Sequence, residues 1–189
     1  MQAANINKVC RLIFYQLTMP VLVIDFTYLE GRDGDIVVKE LAAVDFQSNR
    51  VESYVFKRPY SWEEVRMFSA QINEALDHSC NWDDSDVLYS ELETVVHREV
   101  SSAVAIYCFG PHKTQFISGR IERNIIDITQ LGCPPLTDIR LPTISCTFTS
   151  HNKSKRICAL RIAYILAQWL NFHILTLQYE KCPPQPVFH

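Results

Sequence analysis

The chain carries no strong excess of charge of either sign: 18 Lys and Arg stand against 21 Asp and Glu, a formal net charge of -3 over 189 residues. A global basic field of the kind that gathers nucleic acid is thereby excluded, so any RNA or DNA surface must be local. No apolar run approaches the ~18 uninterrupted residues that a membrane span needs. The first ten residues lack the charged-then-apolar layout of a secretory signal, and an intracellular protein of cytoplasm or nucleus, without membrane association, is expected. Internal repeats, low-complexity tracts and linkers are missing too, which leaves one domain over 1–189 with its core at about 20–180. The tail after Cys182, rich in proline, is expected to be a frayed end or the stub of a longer chain.

What is present is a chain with 48% hydrophobic residues, enough for one proper core, and seven cysteines. An odd number of cysteines in a reducing compartment favours buried thiols or metal ligands over disulfides. Val21 to Phe26 is predicted as a strand. Glu30-Gly-Arg-Asp-Gly34-Asp then turns into a second strand from Ile36 to Phe46, and Gln47 to Arg50 into a third from Val51 to Lys57. A helix is expected from Asp84 or Ser85 to Val100, a fourth strand from Ala103 to Phe109, a short helix over Lys113–Ile121 and a short strand over Asn124–Thr129. The last helix, Ser154 to about Phe172, is apolar on most sides and should be largely buried. The fold class is α/β: three antiparallel strands, then alternating helices and strands in a mixed sheet.

Cys146, His151 and Cys158 form C-x4-H-x6-C at the entrance to this last helix. Two thiolates and an imidazole supply three of the four ligands that tetrahedral zinc takes. Glu40 is the candidate fourth, because alternation along the second strand puts Ile36, Val38, Ala42, Val44 and Phe46 on its face, toward the core. A carboxylate there needs a partner, either zinc or the guanidinium of Arg161. The plainer alternative makes Cys158 a small buried hydrophobe.

The order of elements resembles the ribonuclease-H-like fold, including the exonucleases whose active sites use four acidic residues. Val23-Ile-Asp25-Phe26 followed by Val38-Lys-Glu40-Leu-Ala-Ala-Val44 is similar to their opening, in which Asp-x-Glu places two carboxylates on one strand face beside paired metal ions. Here Thr27 stands at the second acid. Lys113 stands about where the second motif supplies an aspartate, and Ile157 and Ile162 fall where the third supplies histidine and aspartate. The resemblance therefore implies a scaffold that has lost its exonuclease reaction.

Loss of the acids with gain of Glu40, Cys146, His151 and Cys158 resembles the Maelstrom domain, a ribonuclease-H-like module in which a Glu-Cys-His-Cys set replaces them. That resemblance, over about residues 20–172, implies structural zinc, with binding to single-stranded RNA or to protein partners of a small-RNA-guided transposon-silencing pathway and a residual RNA cleavage independent of the acids. The spacing departs from the family's tighter Cys-x-x-His. Lys153, Lys155, Arg156 and Arg161 with His151 form a local basic set at a helix start, suited to phosphate or simply to solvent. Tyr54, Phe56, Tyr60 and Trp62, near Lys57 and Arg58, are candidates for base stacking. Two further readings remain: a single-strand nuclease rebuilt on Asp25 and Asp127 with Mg2+ or Mn2+, and a pseudo-nuclease that binds protein alone. Cys133, before two prolines, is an alternative metal position.

Overall fold

Strand formation follows the β-branched and apolar runs of the N-terminal third. In the computed structural model, which describes residues 20–30, 35–59, 85, 87–140, 144, 145 and 158–181, these runs form β1 (Val21–Glu30), β2 (Ile36–Asp45) and β3 (Arg50–Val55). β1 and β2 pair antiparallel, as do β2 and β3. A four-residue turn joins the latter two. The Asp45 carboxylate fixes it by accepting from the Gln47 amide at 3.0 Å and the Ser48 hydroxyl at 2.6 Å, while Asn49 takes the left-handed conformation at φ 55°.

The chain then crosses to the other side of β1. A 3-10 turn (Tyr89–Glu91) leads into α1 (Leu92–Val100), followed by β4 (Ala105–Cys108), which runs parallel to β1. α2 (Pro111–Ser118) and β5 (Ile126–Asp127) follow, β5 being parallel to β4, and a 3-10 turn (Ile128–Leu131) closes this part. The last described element is α3 (Ala159–Lys181). The fold is thus α/β with a five-stranded mixed sheet in the order β3-β2-β1-β4-β5. That spatial order is not the chain order, because the crossover through α1 returns the chain to the free edge of β1 rather than extending the meander beyond β3.

Helices cover both faces of the sheet. On one face Leu22, Ile24, Phe26, Val38, Leu41 and Ala43 pack against α1 and α2 through Val95, Val96, Phe116 and Ile117. On the other, Val21, Val23, Ala42 and Val44 meet α3 through Leu160, Ala163, Leu166 and Leu170. Burial on two sides explains why β1 and β2 read as near-continuous apolar runs instead of alternating ones. Among the described residues, no helix is long and apolar enough to cross a membrane.

Several expected boundaries move for local reasons. Ser85, Val87 and Leu88 are not helical: Val87 bridges to Phe56, prolonging the β3 ladder, and accepts the Lys57 amide at 2.7 Å. α2 begins two residues before Lys113, with Pro111 in its first turn, where a missing N–H is harmless. The fifth strand shortens to two residues because Asp127 caps the turn that follows. Residues 154–157, expected in the last helix, lie outside the described residues.

One departure bears on the site. Thr27 pairs with Glu40 but Tyr28 pairs with Val38, so Lys39 is an extra residue in β2, a β-bulge. Alternation is broken there. Glu40, Ala42 and Val44 share the α3 face as expected, whereas Val38 lies on the α1 side with Leu41 and Ala43. The backbone opened by the bulge is met by Tyr89, whose hydroxyl accepts from the Val38 amide at 3.2 Å and donates to the Ile36 carbonyl at 3.3 Å.

Candidate functional site

Asp25 is an acid on the central strand of the sheet. It points to the α3 face, between residues that bury themselves against that helix, and is fully shielded from solvent. Such a position is hostile to a charge, and burial accordingly pushes the carboxyl above its ordinary range, with the Lys113 ammonium and the Phe26 amide pulling the other way. Lys113 Nζ lies 2.8 Å from Oδ1 and 3.1 Å from Oδ2, so both carboxylate oxygens face one cation.

The route of Lys113 to Asp25 is written in the turn before it. β4 lies beside β1 with Tyr107 opposite Val23, so the chain leaves β4 almost level with Asp25. Gly110 then adopts φ 86° and ψ 152°, a region open essentially to glycine, and redirects the chain into α2. Lys113 sits in the first turn of that helix. Its side chain is only 18% exposed, and its ammonium passes near the Phe26 ring, 5.4 Å from the centroid, before it meets the carboxylate.

Two neighbours share the α3 face with Asp25. Thr27 follows at strand spacing, and Glu40 lies directly across from Thr27 on β2. Both are buried, at 5% and 3% exposure, and the charge of Glu40 is felt at Asp25. Thr27 Oγ1 has no hydrogen-bond partner among the described residues. Glu40 Oε2 accepts the Ala159 amide at 3.1 Å, a first-turn N–H of α3 that no helical carbonyl can satisfy. Two carboxylates, one hydroxyl and one ammonium thus converge at the junction of β1, β2, α2 and α3.

The predicted Glu-Cys-His-Cys set is described in half. Glu40 and Cys158 come to the same place, since the residue after Cys158 is the one that hydrogen-bonds Glu40, and the Cys158 side chain is buried. Cys146 and His151 lie outside the described residues, as do Lys153, Lys155 and Arg156. Arg161 is half-buried on the first turn of α3. Among the described residues, no group of three His, Cys, Asp or Glu side chains is placed to hold a metal.

Asp127 is differently employed. Its Oδ1 accepts from Thr129 N at 3.0 Å and Gly110 N at 2.9 Å, so it caps a 3-10 turn and holds the glycine that aims α2. It pairs in register with Cys108, which leaves a whole strand between it and β1 and roughly 9–10 Å between those backbones. Cys108 lies between the two acids. Burial first, then the charge of Asp25, holds its thiol far above the ordinary range. Cys133 is buried among the apolar residues facing α3.

Two of the four stacking candidates are engaged inside the fold. Phe56 is fully buried and packs on Tyr89, with ring centroids 6.3 Å apart. Tyr54 is engaged in a second polar cluster that the sequence reading missed. Glu99, on α1 and only 2% exposed, accepts from Tyr54 Oη at 2.7 Å, Arg50 at 2.9 Å and Arg98 at 3.2 Å. Arg98 also lies over the Tyr54 ring, 5.2 Å from its centroid. Tyr60 and Trp62 are outside the described residues. The signal for this cluster was a glutamate falling on the inward stripe of an amphipathic helix.

No family model matches the chain, and no curated protein matches it significantly.

Proposed function

We propose that this chain is a ribonuclease-H-like domain that has lost metal-dependent nuclease chemistry and acts by binding, with single-stranded RNA as its ligand. The observation that carries this reading is the Lys113–Asp25 pair. Hydrolysis of a phosphodiester by paired metal ions needs a cluster of carboxylates free to hold them and a base to activate water. Here one candidate acid is neutralised by an ammonium within 3.1 Å of both oxygens, its strand neighbour is a threonine, and Asp127 is occupied with backbone amides. Asp25 and Asp127 as a rebuilt nuclease centre is the weaker reading on the same grounds.

The zinc reading is supported by the Ala159–Glu40 bond, which brings Glu40 of β2 to the residue after the buried Cys158 at the start of α3. With Cys146 and His151 the metal would cross-link strand and helix, a structural role. RNA would then be gathered by Lys153, Lys155, Arg156 and Arg161 at the mouth of that helix. A place in a small-RNA-guided silencing pathway follows from the Maelstrom-like pattern of Glu40, Cys146, His151 and Cys158.

The test is retention of labelled single-stranded RNA across a salt series, with Mg2+ and Mn2+ present and intact RNA as the second readout. The expected result is salt-sensitive retention, lost in the triple variant Lys153→Ala, Lys155→Ala, Arg156→Ala, with no cleavage that Asp25→Ala abolishes. Asp25-dependent cleavage would overturn the reading in favour of the nuclease. Absence of RNA retention at low salt would leave a protein-binding pseudo-nuclease. Elemental analysis of wild type, Cys158→Ser and Glu40→Ala separately tests the zinc, with near one atom per chain expected in wild type alone.

A further inference from the structure

The divalent ions that the exonuclease resemblance implies do not fit the site, and the reason is specific. Magnesium binds carboxylate oxygen at ~2.0–2.1 Å, so an ion on Asp25 would have to enter the space that Lys113 Nζ holds at 2.8 and 3.1 Å from its two oxygens. Two cations in that space would repel through a water-poor interior. Yet the surroundings are those of a hard-cation site. Two buried carboxylates, Asp25 and Glu40, flank Thr27 on one sheet face, and Thr27 Oγ1 is buried and, among the described residues, without a hydrogen-bond partner. A buried hydroxyl without a partner in a native protein calls for an explanation.

We infer that the Lys113 ammonium is a resident cation standing in for a divalent ion, and that Asp25 and Thr27, beside the charge of Glu40, become a divalent-cation site once that ammonium is removed. The inference rests on the degenerate-nuclease reading and extends it to a single residue. Both donors are oxygen, which selects Mg2+, Mn2+ or Ca2+ over the zinc proposed for Glu40 and the cysteines. A lysine tether has one property that a dissociable ion lacks: it keeps the carboxylate neutralised at every metal concentration. The site is therefore metal-independent by construction.

The experiment compares wild type, Lys113→Ala, and the double variant Lys113→Ala with Asp25→Asn, all zinc-loaded. Binding of Mn2+ is measured from the electron paramagnetic resonance of the free ion. Wild type and the double variant are expected to bind Mn2+ alike and weakly, and Lys113→Ala to gain one site roughly tenfold tighter or better, weakened again by Thr27→Val. Asp25-dependent Mn2+ binding by wild type overturns the inference, as does the absence of any gain in Lys113→Ala. Should Lys113→Ala be unfolded in metal-free buffer, the same series is run on Lys113→Met, which keeps the buried stem. Recovery of the native circular dichroism by Mn2+ in either variant supports the inference, and failure of both to recover counts against it. RNA retention by wild type is independent of each of these outcomes, so the functional reading and this one fail separately.

Discussion

Two buried acids in this molecule are kept in opposite ways. Glu99 is surrounded by donors, three of them, from Tyr54, Arg50 and Arg98, and both arginines remain largely in water at 41% and 57% side-chain exposure. Asp25 lies deeper, is met by one ammonium that is itself mostly buried, and has beside it a hydroxyl with no partner among the described residues. The first arrangement is what packing alone produces when a glutamate turns inward at the rim of a helix. Around Asp25, polarity exceeds what the present contacts use. The difference separates an acid that serves the fold from one whose surroundings are built for a cation.

The sharpest way to break this comparison is Lys113→Met. Removing one partner of a buried pair leaves an uncompensated charge, and a loss of about 3–5 kcal/mol at pH 7, read from urea unfolding, is expected. Burial already raises Asp25 above its ordinary carboxyl value, so the folded state holds the proton more tightly than the unfolded chain. The protonated form therefore favours folding at acid pH, and the penalty grows as pH rises through the folded value. The deficit of Lys113→Met should accordingly shrink from pH 7 toward pH 5. A deficit independent of pH would mean that the lysine stem, not its charge, is what the site needs.

Glu99→Ala should cost less, about 1–3 kcal/mol by the same measurement, because both arginines can return to water. A loss equal to that of Lys113→Met would erase the distinction. Tyr54→Phe should cost about 1 kcal/mol and change the alkaline limb. Burial and the bond to Glu99 push the Tyr54 hydroxyl up to about 12. Its contribution is thus fully present below the ordinary value of 10 and lost as pH rises through about 12, a dependence that the phenylalanine variant should lack. Thr27→Val is the smallest and the most pointed change. Replacing an unpartnered buried hydroxyl by a methyl should be neutral or stabilising by up to about 1 kcal/mol, as seen in thermal unfolding. Destabilisation would show that Thr27 has a partner after all.

The strands were legible because β1 and β2 are apolar on both faces and bounded by turn residues, and burial between two helical layers is what such runs demand. Helix starts were less so. Val87 fits the helical stripe, yet a pairing with Phe56, thirty-one residues away in sequence, claims it for the ladder. Asp25 and Glu40 were visible as acids in apolar strands. Lys113 was visible only as a missing acid, since nothing local says that the helix it begins will tip its ammonium onto β1. Spatial pairing depends on the Gly110 turn and on β4 lying parallel to β1, both tertiary facts. Val38 was placed on the wrong face for a related reason: alternation is a rule about unbroken strands, and Lys39 breaks this one.

That extra residue acts as a phase shift. Upstream of Lys39 the strand keeps one parity and downstream the other, so deletion of this single position would carry every β2 side chain before it to the opposite face, or else move Glu40 away from the start of α3. The acidic pocket therefore depends on a residue that contributes no ligand to it, through the count of positions along the strand.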